Sequence, residues 1–212
     1  MIDALHTILE SGVVAIIRAD SPSGLVEAGR ALARGGVRAI EVTMTTPGAL
    51  DAVSRLAGEA GDDFVAGAGS VLDTETARAA ILAGAEFLVM PTTDLPTIEL
   101  ARRYGKVACP GALTPTEVLA AWQAGADIVK VFPASLGGPA YIKALRGPLP
   151  QVRLMPVGGV SAENCAAYIA AGACAVALGG GLVKRDLLAA GDWDGITEVA
   201  RRVVSAVQEA RA

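Results

Sequence analysis

Histidine is all but missing from this sequence: His6 is the only one in 212 residues. That removes the commonest base near neutral pH and any multi-histidine metal site, so acid–base work must fall to a carboxylate, a lysine or water. Cysteine is scarce as well. Cys109, Cys165 and Cys174 are odd in number and lack metal-ligand spacing, and they read as reduced, buried small hydrophobes. Aromatics make up only 4% of the chain. Abundant alanine and glycine take their place, which suits helices packed closely on a sheet. A basic excess is absent too. The net charge of −4 gives no support for a nucleic-acid partner, though a local positive pocket for a small anion is compatible with it. No apolar run approaches the ~20 residues of a membrane span. Asp3, His6 and Glu10 interrupt the N-terminus where a secretory leader would be apolar. A cytoplasmic protein with no membrane partner is expected.

Lysine is rare, and one of the few is in an unusual place. Of Lys106, Lys130, Lys143 and Lys184, three lie beside turns or in polar helical context. Lys130 instead interrupts the apolar run Ile128-Val129-Lys130-Val131-Phe132-Pro133. Such a run reads as a strand buried on both faces. Burial disfavours the ammonium, lowers its pKa and frees a neutral amine, which attacks carbonyl carbon. Lys130 is therefore a candidate Schiff-base former; a structural ion pair is the plainer reading.

Short apolar runs recur about every twenty residues, each followed by a turn and an amphipathic stretch. The pattern predicts strands over 13–17, 39–43, 64–67, 87–90, 107–109, 128–132, 154–157 and 175–178. Helices are predicted over 23–34, 47–58, 73–83, 97–104, 116–124, 140–145, 162–171 and 195–210. The phrase "small residue–Gly–small residue" before a strand repeats at Ala83-Gly84-Ala85, Ala124-Gly125-Ala126 and Ala171-Gly172-Ala173, marking a βα unit used many times. Eight such units predict an α/β chain folded as a single-domain (β/α)8 TIM barrel over 1–212, with a short N-terminal helix covering one end. A doubly wound open sheet is the alternative, but no GxGxxG opens the first helix, and Gly67-Ala68-Gly69-Ser70 is too short a match for that fingerprint.

Barrel sites lie at the carboxyl ends of the strands. Those ends carry Arg18, Glu41 with Thr43 and Thr45, Ser70, Pro91, Lys130 with Phe132, Gly158-Gly159 and Gly179-Gly180-Gly181. Period-two alternation puts Glu41 and Thr43 on one face of their strand, and Lys130 and Phe132 on one face of theirs. If both faces look inward, the carboxylate and the amine share a lumen. The amine would attack a ketone and the carboxylate would shuttle protons. Glycine clusters after strands 7 and 8 suit a phosphate site built from backbone N–H groups. Arg18, with the hydroxyls of Ser70 and Thr45, could hold a substrate carboxylate.

The segments 36–43, 67–72, 109–111, 129–134 and 156–160, which include Gly36-Val37-Arg38, Cys109-Pro110-Gly111 and Pro156-Val157-Gly158-Gly159-Val160, together resemble the 2-keto-3-deoxy-6-phosphogluconate aldolase family. That family includes 4-hydroxy-2-oxoglutarate aldolases and phosphogalactonate aldolases. The resemblance spans nearly the whole chain. It implies a class I aldolase that splits a phosphorylated keto acid into pyruvate and glyceraldehyde 3-phosphate, as a homotrimer, with no metal and no cofactor. It implies Lys130 as the Schiff-base lysine and Glu41 as the acid–base. Phe132 would lie against the pyruvate carbons, Ser70 and Pro91 near the carboxylate, and Gly158, Gly159, Gly179 and Gly180 around the phosphate. Three positions depart from the pattern. Thr45 stands where many members have arginine, with Arg18 expected to take over. Val157 replaces a common threonine, as in the phosphogalactonate branch, which Pro139-Ala140-Tyr141 also resembles. Gly180 stands where a phosphate-binding serine is frequent. The competing readings are a sugar-phosphate isomerase or epimerase barrel, and a trimeric scaffold without turnover.

Overall fold

The computed structural model describes residues 3–61 and 63–212. Among the described residues nine parallel strands appear: β1 Val13–Ile17, β2 Ala39–Thr43, β3 Val65–Gly69, β4 Phe87–Val89, β5 Val107–Cys109, β6 Gly111–Ala112, β7 Val129–Val131, β8 Leu154–Pro156 and β9 Val176–Leu178. Each predicted strand is found. The extra one is β6, which lies beyond the fifth predicted run and is separated from β5 by Pro110, a residue that lacks an amide hydrogen. The third strand starts one residue later than expected and runs on to Gly69.

The strands form two sheets, β5-β4-β3-β2-β1-β9 and β6-β7-β8. They meet at two places: the chain crosses from one to the other through Pro110, and a parallel bridge joins Val157, just after β8, to Ala177 in β9. The result is an α/β architecture with helices packed outside curved parallel sheets.

Ten α-helices surround the strands among the described residues. In order, α1 to α10 are Ala4–Ser11, Leu25–Arg34, Ala49–Glu59, Thr74–Leu82, Leu95–Arg103, Pro115–Gln123, Gly138–Arg146, Cys165–Ala170, Arg185–Ala190 and Trp193–Glu209. Their starts follow local chemistry. Asp3, Asp73, Asp94, Thr114 and Asp192 accept from backbone N–H groups of the first turns of α1, α4, α5, α6 and α10. At α6, Thr114 and Glu117 form a reciprocal capping box behind Pro115. The predicted start of α5 falls two residues late because Asp94 caps the helix and Pro96 fits its first turn. Helix α9 has no counterpart in the sequence-based expectation.

Two apolar layers are separated by the sheets. The outer one packs Ile40, Val42, Val129, Val131 and Leu154 against the helices. The inner one contains Val14, Ile16, Ala39, Val65, Phe87, Val89, Val107, Cys109, Ile128, Met155, Val157, Ala175 and Ala177. Ala4 and Ile8 of α1 belong to that inner cluster, so the short N-terminal helix covers the amino ends of the strands as expected. The inner set falls on alternate strand positions. Glu41 continues the series from Ala39, and Lys130 continues it from Ile128. Register agrees: Glu41 pairs with Ile16 and Gly67, while Lys130 pairs with Gly111 and Met155.

Candidate active site

Glu41 and Lys130 stand on the inner face one step above an apolar floor. They are 2% and 6% exposed, which makes them a desolvated acid and a desolvated base. Burial pushes the Glu41 carboxyl up to about 7, against the opposing pull of the Lys130 and Arg18 charges. Burial lowers the Lys130 ammonium, which Glu41 and Cys109 partly restore and Arg18 further opposes. The two feel each other without forming an ion pair, since the salt bridges among the described residues all lie elsewhere. The simple buried ion pair considered from sequence is therefore not what the side chains form. Oε2 of Glu41 has no hydrogen-bond partner and is the only such buried side-chain N or O among the described residues. An unmet carboxylate oxygen in a dry site is costly, and it is available to a substrate proton.

The backbone makes room for this carboxylate. Gly69 in β3 faces it, and a Cβ there would collide with Oε1 of Glu41. The next residue, Ser70, has φ 59°, a left-handed conformation that costs a side-chain-bearing residue on the order of 1 kcal/mol. That turn brings Ser70 to the cavity wall. Over Lys130 lies Phe132, with Nζ 4.8 Å from the ring centroid. Phe132 is 38% exposed and lines the cavity.

One cavity of about 540 Å³ collects these groups, within the usual range for a small-molecule site. Arg18, Glu41, Ser70, Pro91, Lys130, Phe132, Gly158, Gly159, Gly179 and Gly180 all line it. Gly158 and Gly159 hold φ of 88° and 78°, a conformation that side chains resist. Of the residues predicted for the site, Thr45 does not line the cavity. Its hydroxyl lies 3.0 Å from that of Thr43, which does. Thr43 in turn lies 3.2 Å from the Thr46 hydroxyl, which accepts from the Ala19 amide. The threonines thus tie the β2 exit to the segment following Arg18. Sequence reasoning missed Ser161, Val183 and Arg185 in the lining. For Arg185 a signal existed: a cation four residues beyond the glycine triplet.

Parallel α/β strands with a desolvated amine and carboxylate at their carboxyl ends define a class, the α/β lyases that work on carbonyl compounds through a lysine. Within that class the match is specific. The family model for KDPG and KHG aldolase matches residues 5–199, and the chain belongs to that family. It is 36% identical over 201 residues to the KHG/KDPG aldolase of Escherichia coli, covering 94% of each chain. It is 35% identical over 173 residues to the 2-dehydro-3-deoxy-6-phosphogalactonate aldolase of the same species, covering 81% of this chain and 84% of that one. Among solved structures, the KDPG aldolase of Legionella pneumophila superposes with a TM-score of 0.87 at 26% identity, covering 95% of this chain and 98% of that one. That structure holds pyruvate as a covalent carbinolamine intermediate.

Proposed function

We propose that this chain is a class I aldolase that cleaves 2-keto-3-deoxy-6-phosphogluconate to pyruvate and glyceraldehyde 3-phosphate, with Lys130 as the Schiff-base residue and Glu41 as the acid–base. The observation that carries the proposal is that Glu41 and Lys130 share one desolvated cavity at the carboxyl ends of the strands. Family membership supports it, as does the pyruvate carbinolamine of the Legionella relative.

The chemistry follows from that pair. Neutral Lys130 attacks C2 of the keto acid, and loss of water leaves an iminium. Ionised Glu41 takes the C4 hydroxyl proton. The C3–C4 bond breaks, the aldehyde departs, and the electron pair moves through C3 to the iminium nitrogen as an enamine. Protonation at C3 gives the pyruvate iminium, and water returns pyruvate and free Lys130. A carboxyl near 7 suits this role, because it accepts and returns a proton at similar cost. The iminium is the electron sink, so the reaction as drawn needs neither metal nor organic cofactor. Arg18 and Ser70 hold the carboxylate with Pro91 beside it, Phe132 lies against the pyruvate carbons, and Thr45 acts through Thr43. Gly158, Gly159, Gly179 and Gly180 receive the phosphate.

Residues 1–212 act as one aldolase domain in this reading, a closed ring of eight strand positions with β5 and β6 counted as one. The Val157–Ala177 bridge supports closure. Its cytoplasmic homotrimer takes a small phosphorylated keto acid, with no nucleic-acid or membrane partner. Exposed Leu50, Leu72, Leu82 and Leu95 supply apolar surface for association, and no helix of the described residues is long and apolar enough to cross a membrane.

The galactonate epimer is the second reading, favoured by Val157 and by the 35% identity to the Escherichia coli phosphogalactonate enzyme. Pyruvate release, followed by coupled lactate dehydrogenase with each epimer and with 4-hydroxy-2-oxoglutarate, separates the cases. Turnover of the gluconate phosphate above the galactonate phosphate is expected. The reverse preference would move the assignment to the second reading, and no pyruvate from any of them would end both.

A further inference from the structure

The two arginines of the cavity are not equivalent. Arg18 acts electrostatically on both Glu41 and Lys130, whereas Arg185 acts on neither. Arg185 opens α9, a few residues beyond Gly179-Gly180-Gly181. It lines the reaction cavity and also a second cavity of about 490 Å³, walled by Trp193, Leu188 and Ser21. Lys130 and Glu41 line only the first. Arg18 lines both spaces as well, so what sets Arg185 apart is its place in the chain, just beyond the glycine loop that follows β9, whereas Arg18 follows β1.

The glycine loops supply no side-chain donor of their own. Gly180 has none, and a Cβ on it would meet nothing within 4 Å. Ser161 also lines the reaction cavity, its Oγ accepting from the Glu163 amide at 3.3 Å. Arg185 takes part in none of the ion pairs among the described residues. A guanidinium without a carboxylate, beside backbone N–H groups of glycine loops, is suited to a phosphate monoester dianion.

We infer that Arg185 is a specificity-determining residue that grips the terminal phosphate of the substrate, with Arg18 left to the carboxylate end. The inference rests on the aldolase reading of the cavity and assigns the donor that the glycine loops lack. Phosphate preference is thereby set by a residue outside the strands, at the start of a short exposed helix.

The test compares Arg185→Gln and Arg185→Lys with the wild type on the 6-phosphorylated keto acid and on its dephosphorylated counterpart. A lost charge-assisted contact should cut the preference in kcat/KM for the phosphorylated substrate by about tenfold or more, mainly through KM. The lysine variant should fall in between. Competitive inhibition by inorganic phosphate should weaken in parallel. An unchanged preference and an unchanged phosphate inhibition constant would overturn the inference. If the wild type releases no pyruvate, the aldolase reading fails. Calorimetric titration of wild type and Arg185→Gln with inorganic phosphate still reads Arg185 alone: weaker binding by the variant supports its role, and equal binding removes it.

Discussion

The lower and upper halves of the interior are built on the same strands, two residues apart. On β2 the inward series runs Ala39, Glu41, Thr43; approaching and leaving β7 it runs Ile128, Lys130, Phe132; on and after β1 it runs Val14, Ile16, Arg18. Below, every member is apolar and α1 seals the end with Ala4 and Ile8. Above, Glu41, Thr43, Lys130, Phe132 and Arg18 are charged, hydroxylic or aromatic and line a cavity, with Ile16 beside Glu41 as the apolar member. The floor is a functional part of the site, because it supplies the dryness that raises Glu41 and lowers Lys130.

Substitutions one step apart on β7 and its approach should separate the halves most sharply. Lys130→Ala should cost about 10⁴-fold or more in kcat while leaving a folded protein, since it removes the nucleophile; near wild-type turnover would dissolve the distinction. Glu41→Gln should lower kcat by about 10²- to 10⁴-fold, the usual worth of a positioned acid–base, with pyruvate still bound. Ile128→Ala, one position below Lys130 in the inward series, should instead lose about 2–5 kcal/mol of stability by leaving a cavity, with kcat per folded molecule held within a few-fold. Denaturant midpoints beside active-site titration check this.

The pH response sharpens the same contrast. A carboxyl raised from 4.5 to about 7 binds its proton more tightly folded than unfolded. Stability from this group is therefore complete below about 4.5 and declines as pH rises through 7. The loss is on the order of 3 kcal/mol. Glu41→Gln should be more stable than wild type at pH 8, with the gap closing towards pH 4.5; a constant gap would contradict the assignment. Cleavage should gain in kcat/KM as pH rises towards 7, where the base form of Glu41 appears. The smallest effect belongs to the rim. Gly180→Ser has open space for its side chain, and one added hydroxyl donor should lower KM for the phosphorylated substrate several-fold, about 1 kcal/mol.

The inner face was legible because period-two alternation carries over from sequence to sheet without tertiary information. Glu41, Lys130 and Phe132 needed only the strand register and the rule placing sites at carboxyl ends. The rim was less legible. Thr45 is in phase with the inward series, two residues after Thr43, but β2 ends at Thr43 and the chain turns there, so its place depends on a turn that pattern reading does not fix. Arg185 lies in a six-residue helix, too short to show a periodic signal. Pro110 was visible, but the separate strand beyond it depended on the ladder around it.

Borohydride reduction in the presence of pyruvate, followed by peptide mass mapping, tests the central claim most directly. The account predicts a single stable adduct of one reduced pyruvate unit on Lys130, absent from Lys130→Ala. Label on another lysine, or none while pyruvate is being produced from substrate, would contradict it.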